Sequence, residues 1–274
     1  MGKGRIVCAG IAVIIGFGGN IGVSYGEDGT LLVDDQVPQV FAQVQQNIAD
    51  LGAEPARFVV DTHWHWDHAL ANADFGKAGA TIVAHENVRP RLIAGGIVMG
   101  TETAPAAPEA LPVITFSDGL TFHLNGDVLD VIHTGGGHTD GDAIVRWRNA
   151  NVVHMGDLFM HDQGWPFPDV DSGGNIDNLL ASLEQAIAMM DDQTIVIPGH
   201  GQLATRADVV AFHDVVKSAT DRIKALRADG KTLSEIIAAK PVSGMMDTSQ
   251  AFVSDEMFVG LVWVSLEMSA LGAN

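Results

Sequence analysis

The chain is poor in cysteine and in basic residues. Cys8 is the single cysteine among 274 residues, which excludes an internal disulfide. Its setting between apolar neighbours predicts a buried strand residue rather than a reactive thiol. The 15 basic residues stand against 34 acidic ones, giving a formal net charge of −19. Because this charge repels nucleic acid and anionic membranes, we expect neither as a partner and expect a small-molecule substrate instead.

Long apolar runs are also lacking, since no stretch reaches the roughly 18 uninterrupted apolar residues that a membrane span requires. Lys3 and Arg5 before the apolar residues 6–17 imitate a short secretory signal, but no small-residue cleavage site stands out. Residues 6–33 instead predict short strands joined by tight turns, with a hairpin at Asp28 and Gly29. Cellular location stays open: the chain as it stands is expected in the cytoplasm, or in the periplasm if a longer precursor carried a signal.

Apolar residues make up 47% of the chain, enough to bury a large core. From residue 37 onward, short β-branched runs alternate with helical patterns, which predicts layered sheet and helix. Helices are predicted over residues 37–51, 86–94, 176–190 and 207–227, and strands over residues 57–62, 81–84, 143–147, 152–154 and 194–197. We therefore expect one α/β domain built of two halves, about residues 1–125 and 126–274.

The middle of the chain is rich in turn signals. Residues 101–112 hold three prolines and four alanines, and we expect a loop that borders the functional site. Strands are predicted at residues 113–116, 120–124 and 128–133, separated by hairpin turns at Asp118-Gly119 and Asn125-Gly126. These turns favour antiparallel sheet in the second half.

Four side chains with metal-binding chemistry lie within six residues, directly after the strand predicted to end near residue 60: His63, His65, Asp67 and His68. Imidazole nitrogen and carboxylate oxygen are the donors that zinc and other borderline metals prefer. One short turn cannot bring all four donors to a single ion. We therefore expect two ions, with His63 and His65 on one and Asp67 and His68 on the other.

Three further residues also lie just past a predicted strand, with glycine beside them: His138, Asp157 and His200. Glycine permits the close backbone approach that a metal loop requires. A single histidine is most often a surface residue or a satisfied core residue. Charged and imidazole groups crowded at strand ends would, however, stay unsatisfied without a cation. Together the seven side chains predict a metal centre.

With these motifs the chain resembles the metallo-β-lactamase superfamily over nearly its whole length, from Gly18-Gly19-Asn20 to the helix after His200. The resemblance implies a four-layer αβ/βα sandwich with a dinuclear zinc site on one edge. It implies that the first zinc ion is bound by His63, His65 and His138, the second by Asp67, His68 and His200, and that Asp157 bridges both. Iron or manganese is the alternative to zinc.

The resemblance also implies hydrolysis by a hydroxide that bridges two metal ions and attacks a carbonyl. Asp67 would be the catalytic residue, orienting that hydroxide or relaying its proton to the leaving atom. Dedicated β-lactamases of one subgroup carry cysteine where this chain has Asp157 and lysine where it has Met160, whereas glyoxalase II and lactonases share the aspartate. We therefore expect a general hydrolase of a cyclic amide or ester with at least promiscuous β-lactamase activity.

Other functions remain open at this point. A lactonase or a thioesterase similar to glyoxalase II is the first alternative, although the tail offers only Lys231 and Lys240 in place of that enzyme's basic residues. An iron-dependent redox member is the second, since the donors alone cannot separate it from a zinc hydrolase. A metal-binding scaffold without catalysis is the least favoured, because every donor is present.

Large apolar side chains flank the predicted site. Trp64, Trp66 and the loop over residues 164–168 predict an aromatic wall for a hydrophobic substrate, although all of them could equally be core residues. Trp66 is the better candidate for the wall because it lies between two proposed ligands. The apolar tail over residues 233–271 has helical spacing, which predicts packing on the domain or a homodimer contact.

Overall fold

The computed structural model describes residues 4–98, 100–249 and 251–270. Of the residues in these segment predictions, Lys3 of the basic pair and, in the apolar tail, Gln250 and Leu271 lie outside this range. Within the described residues, no helix combines the length and the apolar character needed to cross a membrane.

The strands and helices alternate along the chain as the sequence predicts. The strands are β1 (Arg5–Cys8), β2 (Ile11–Ile14), β3 (Ile21–Gly26), β4 (Gly29–Val33), β5 (Ala56–Val60), β6 (Thr81–His85), β7 (Gly96–Val98), β8 (Thr101–Thr103), β9 (Ile114–Phe116), β10 (Gly119–Leu124), β11 (Asp127–His133), β12 (Ala143–Trp147), β13 (Val152–His154), β14 (Ile195–Ile197) and β15 (Ala204–Thr205). The helices are α1 (Phe41–Asp50), α2 (Trp66–Ala69), α3 (Asn72–Lys77), α4 (Val88–Ala94), α5 (Ile176–Ala188), α6 (Arg206–Ala228), α7 (Leu233–Ala239) and α8 (Asp255–Ala270).

Two large sheets form the centre of the fold. The first has the order β1-β2-β3-β4-β5-β6-β9, with antiparallel pairing through β4 and parallel pairing beyond it. The second has the order β10-β11-β12-β13-β14-β15 and is antiparallel except for the β13–β14 pair. Strands β7 and β8 form a separate antiparallel hairpin.

The alternation of side chains along the strands creates the layers. Leu31 and Val33 of β4 face the core between the two sheets, whereas Leu32 faces the outer core beneath α1 and α3. On the second sheet, Val152 faces the same inner core and Val153 faces a core shared with α5, α6, α7 and α8. Helices therefore cover both outer faces, and the four-layer αβ/βα sandwich is confirmed.

Capping side chains fix where the long helices begin. The Asn175 side chain accepts hydrogen bonds from the backbone N–H groups of Asp177 and Asn178, so α5 starts at Ile176. Thr205 and Asp208 form a capping box at the start of α6, in which each side chain bonds the other's backbone N–H. Both helices cover the outer face of the second sheet.

Of the two hairpin turns predicted on either side of β10, one is confirmed and the other is wrong. Asn125 and Gly126 form the predicted hairpin turn, with φ of 55° and 73°, between β10 and β11. Asp118-Gly119 is not a hairpin: β9 pairs in parallel with β6 in the first sheet and β10 belongs to the second. Neither Asp118 nor Gly119 adopts the positive φ that such a two-residue turn requires, so the chain crosses between sheets there.

The predicted loop over residues 101–112 begins instead with strand β8 and contains a short 3₁₀ turn at Pro108–Ala110. The β-branched Thr101 and Thr103 pair with β7, which the proline content of the later residues obscured. Cys8 lies in a strand as predicted but is only partly buried, because β1 is the edge strand of its sheet.

The apolar tail packs on the domain. Phe258, Val259 and Val262 of α8 join the core shared with α5 and α6. Polar groups tie the same helix to the start of α5, where Ser265 Oγ accepts the backbone N–H of Ile176 at 2.8 Å. The predicted homodimer contact through this helix stays a prediction.

Candidate metal centre

The seven predicted donors lie together at one edge of the sandwich, each just past a strand. His63 and His65 follow β5, and Asp67 and His68 lie in the short helix α2 that comes next. His138 follows β11, Asp157 lies in a 3₁₀ turn after β13, and His200 follows β14. Strands from both sheets therefore end at the same place, as their carboxyl-terminal loops do in other layered α/β folds.

The donor atoms form adjoining groups of three in which the atoms lie within 4.8 Å of one another: His63, His65, His138; Asp67, His68, His200; and His63, His68, Asp157. The first two groups match the division of ligands that the sequence predicts. The third connects them, because it shares a histidine with each. Asp157 reaches both sides, with Oδ1 at 3.1 Å from His68 Nε2 and Oδ2 at 3.7 Å from His138 Nε2.

Hydrogen bonds on the far side of two imidazoles fix which nitrogen faces the centre. Asp34 is fully buried, and its Oδ2 accepts from His68 Nδ1 and from Thr62 Oγ1, both at 2.8 Å. Since the Thr62 proton is used in that bond, Thr62 Oγ1 accepts from His63 Nδ1 at 3.0 Å. Both histidines therefore carry a proton on Nδ1 and turn Nε2 towards the other donors.

His65 and His138 of the first group have equivalent partners in the segment between β13 and α5. His65 Nε2 donates to Asp169 Oδ2 at 3.0 Å, and His138 Nδ1 donates to the Phe167 carbonyl at 2.5 Å. The remaining nitrogens, His65 Nδ1 and His138 Nε2, lie 2.9 Å apart and face each other. Two nitrogen lone pairs this close repel unless a proton or a cation lies between them.

A divalent cation fits these residues. His63 Nε2 is buried and has no hydrogen-bond partner among the described residues, although its ring is locked in place by Thr62. Burial lowers the pKa of His63 well below its usual value and lowers that of His138 to about 4, so both imidazoles are neutral at pH 7. Neutral imidazoles with fixed tautomers are the form in which histidine binds zinc and similar metals.

The second group is electrostatically different. Burial alone would lower the pKa of His200, but the Asp157 carboxylate outweighs it and raises the pKa to about 9. Burial likewise opposes ionisation of Asp157, yet His200 and His68 hold the pKa of this carboxyl well below its usual range. The two histidines thus supply the positive charge that the carboxylates demand, and a metal cation at the same atoms would replace their protons.

Glycines permit the close approach that the sequence predicts at these loops. A Cβ at Gly199 would lie 2.0 Å from Asp157 Oδ1, so no larger residue fits beside that donor without a shift. Gly19 is a comparable case, since a Cβ there would lie 2.2 Å from the His68 ring. Residues 18–20 therefore cross directly over the centre, and Asn20 N donates to the Gly199 carbonyl at 2.7 Å.

The two tryptophans near the donors have different roles. Trp64 is buried and donates through Nε1 to Ser172 Oγ at 3.0 Å, so it is a core residue. Trp66 lines a cavity of about 260 Å³ that opens onto five of the donors: His65, Asp67, His138, Asp157 and His200. Phe167 of the predicted loop lines the same cavity. The aromatic wall therefore includes Trp66 and Phe167 but excludes Trp64.

Sequence reasoning missed the partners that orient the histidines. Asp34 follows the apolar strand β4 directly, so the test of a polar residue just past a strand would have found it. Asp169 has no such signal, because it lies 104 residues from His65 in a loop between two helical segments. Asp142 also escaped notice: its carboxylate accepts from the backbone N–H groups of His138 and Thr139 and so shapes the His138 loop.

Comparison with known proteins finds similarity in sequence and in fold. Hydroxyacylglutathione hydrolase of Polaromonas sp. (strain JS666 / ATCC BAA-500) is 29% identical over 174 residues, which is 60% of this chain and 58% of that protein. The chain thus spans less than two thirds of this relative's length. The crystal structure of the DIM-1 metallo-β-lactamase matches with a TM-score of 0.64 at 19% identity, covering 79% of this chain and 97% of that one.

A second solved structure covers more of the chain. The stereoselective inverting sec-alkylsulfatase Pisa1 from Pseudomonas sp. matches with a TM-score of 0.73 at 16% identity, covering 96% of this chain and 50% of that one. At such identities the two structures support the fold alone. The family model of the metallo-β-lactamase superfamily matches residues 14–200, a range that contains all seven donors. The chain therefore belongs to the metallo-β-lactamase superfamily.

Proposed function

We propose that this protein is a metal-dependent hydrolase that holds two zinc ions and cleaves a cyclic amide or ester, with at least promiscuous β-lactamase activity. The observation that carries the proposal is the pair of three-donor groups, His63, His65, His138 and Asp67, His68, His200, with Asp157 between them. Nitrogen and carboxylate donors suit zinc, and they also admit iron or manganese.

The chain's own residues can handle the proton that hydrolysis must move. Hydrolysis adds water across the bond between a carbonyl carbon and its leaving nitrogen, oxygen or sulfur, so one proton of that water must reach the leaving atom. Asp67 lines the cavity, and its Oδ2 lies 3.2 Å from His200 Nε2. His68 holds the pKa of Asp67 below its usual value against the opposing effect of burial, so the carboxylate is ionised and able to accept that proton.

When bound, two divalent ions would lower the pKa of a water molecule and polarise the carbonyl oxygen of the substrate. The protein's contribution is to hold the donors in one geometry and to limit access of bulk water. Asp34 and Asp169 fix the rings of His68 and His65, and Trp66 and Phe167 cover the adjoining cavity. Fixed ligands cost no reorganisation during the reaction.

A thioester is the second candidate substrate. The similarity to a hydroxyacylglutathione hydrolase supports it, and so does Asp157, the residue that glyoxalase II and lactonases share. Met160 lines the cavity where β-lactamases of one subgroup place a lysine, which argues against a dedicated β-lactamase. A carboxylate on a β-lactam would find no cation at this position.

Metal analysis combined with a small substrate panel tests the proposal. The purified protein is analysed for bound metals and assayed with a cephalosporin, a homoserine lactone, an acyl thioester and a phosphodiester. We expect two zinc ions per chain and turnover of at least one of the carbonyl substrates. Full occupancy by iron without hydrolysis of any of them would favour the redox alternative instead.

An Asp67→Asn variant tests the proton-transfer role. Because positioned general bases contribute about 10² to 10⁴ in rate, we expect kcat to fall at least about a hundredfold while metal content under saturating zinc stays near two ions. Asp162→Asn is the matched control, since the Asp162 side chain is 88% exposed and outside the donor groups. Full turnover of Asp67→Asn with both ions bound would show that Asp67 carries no proton.

A further inference from the structure

The cavity beside the donors is lined mainly by apolar side chains. Beyond the donors themselves, its walls include Trp66, Val98, Met160, Phe167, Phe252 and Val253, with Thr101 and Gln163 as polar exceptions. These residues come from four separate parts of the chain: the donor loop, the β7–β8 hairpin, the segment between β13 and α5, and the segment before α8. A substrate whose reacting bond lies at the donors would therefore extend along apolar surface.

No lysine or arginine lines this cavity among the described residues. Arg91 is close in sequence to Val98 of the cavity wall, but its side chain is paired with Asp140. Its Nε and Nη2 donate to the two oxygens of the Asp140 carboxylate at 2.7 and 2.6 Å. An anionic group remote from the reacting bond would lose its hydration in the cavity without gaining a counter-ion. The walls thus select against a negative charge on the part of the substrate that is remote from the reacting bond.

Part of the wall lies outside the region that matches the family model. Phe252 and Val253 follow residue 200, where that match ends. Trp165 Nε1 donates to Asp255 Oδ1 at 2.7 Å, and the Trp165 ring stacks on Phe258 at 4.3 Å between centroids. A Cβ at Gly164 would lie 2.3 Å from the Ala251 Cβ, so the two segments pack in direct contact. The start of α8 therefore holds this part of the wall in place.

Phe252 is the most accessible of these side chains. It remains 60% exposed although it is a large apolar residue at the cavity, whereas Val253 beside it is buried. Covering an exposed aromatic ring with an apolar ligand removes both surfaces from water, which stabilises the complex. Among the described residues, Phe252 does not belong to the core clusters that contain Val253 and Phe167.

We propose that the site takes an uncharged substrate with an apolar chain or ring, which lies along Trp66 and Phe167 and against Phe252 of the C-terminal segment. This inference rests on the proposed function for the reaction at the donors but concerns binding, which can be measured separately. Phe252 acts here as a specificity-determining residue, and the apolar wall, rather than a cation, recognises the part of the substrate away from the reacting bond.

Binding of two unreactive amides of equal length tests the proposal on the zinc-loaded protein. Octanamide is neutral, and 8-sulfooctanamide carries at the far end a sulfonate, an anion that binds zinc only weakly and therefore leaves the amide end at the donors. By calorimetry, or as competitive inhibitors where turnover is observed, we expect octanamide to bind at least about tenfold more tightly. Equal or tighter binding of the anionic amide would overturn the proposal, whatever the outcome for hydrolysis.

Variants at Phe252 test the wall itself. Phe252→Ala should weaken octanamide binding by about five- to tenfold, whereas Phe252→Leu should retain most of it. Phe252→Arg should reverse the preference by favouring the anionic amide, and Val113→Arg should not, because Val113 is 72% exposed but does not line the cavity. Unchanged binding of both amides in Phe252→Ala and Phe252→Arg, with zinc content intact, would refute the role of Phe252.

The two proposals fail in different ways. If the protein binds two zinc ions and prefers octanamide but hydrolyses no substrate of the panel, the proposed function is wrong and the inference on the wall stands. If substrates are hydrolysed without preference for neutral or apolar groups, the proposed function stands and the inference is wrong.

Discussion

Replacement of Asp34 by asparagine tests whether the hydrogen bonds behind the histidines control metal binding. Asp34 is fully buried and its two oxygens accept three hydrogen bonds, from Thr62 N at 2.7 Å and from Thr62 Oγ1 and His68 Nδ1 at 2.8 Å each. Its φ of 64° is a conformation that asparagine tolerates well, so Asp34→Asn changes the chemistry with little backbone strain.

The expected magnitude follows from the lost acceptor. The amide nitrogen that replaces Oδ2 cannot accept from His68 Nδ1, and it faces a second donor, Thr62 Oγ1. Hydrogen bonds to a charged acceptor contribute about 1.5–3 kcal/mol, and loss of such partners typically lowers metal affinity about 10- to 100-fold. We expect a loss in this range for the ion held by Asp67, His68 and His200, equivalent to about 1.4–2.7 kcal/mol.

The loss of zinc affinity is measured by competition with a zinc chelator of known affinity, starting from protein that holds two ions per chain. Asp35→Asn is the matched control: Asp35 is also fully buried, burial raises its pKa well above the usual value, and none of the described histidine rings hydrogen-bonds it. Asp169→Asn should instead weaken the ion held by His65. Equal affinity of both ions in Asp34→Asn and the parent protein would refute the reasoning.

Two further predictions concern pH and stability. His200 has a pKa of about 9 and binds a metal only when neutral. Zinc affinity should therefore rise about tenfold per pH unit from pH 7 to 9 through this group and level off above pH 9. Calorimetry in buffers of different ionisation enthalpy should detect at least one proton released on zinc binding at pH 7, and release of no proton would contradict the assignment. Phe258→Ala should lower the free energy of unfolding, measured by chemical denaturation, by about 3–5 kcal/mol, because Phe258 is fully buried against Trp165. Met257→Ala is the control: because the Met257 side chain is 42% exposed, this substitution should change the free energy of unfolding by less than about 0.5 kcal/mol.

The donor set could be predicted from the sequence because its chemistry is local. His63, His65, Asp67 and His68 are adjacent in the chain, and the rule that donors follow strands located His138, Asp157 and His200. The fold class followed from the alternation of strands and helices, which burial on both faces of the sheets explains. These features depend on short segments of the chain, and the residue types and their spacing within each segment are enough to indicate them.

Features that depend on distant partners could not be predicted in the same way. Asp118-Gly119 carries a hairpin signal, but β9 pairs with β6 in the first sheet and β10 pairs with β11 in the second, which only the assembled sheets reveal. Trp64 and Trp66 have similar local settings, and their roles differ because Ser172, 108 residues away, accepts the Trp64 N–H. Sequence pattern does not encode which neighbour a side chain meets across the fold.

The metal centre and the Phe252–Val253 part of the cavity wall thus depend on different parts of the chain. Every proposed donor, and the partners Asp34 and Asp169, lie within residues 14–200, where the family model matches. Phe252 and Val253 lie beyond it and contact the cavity only because α8 is tied to Trp165. Substitutions of the metal-binding histidines, or of Asp34 and Asp169 behind them, should therefore change metal content and rate together, whereas substitutions in the segment before α8 should change which substrate is bound while the metal content stays the same.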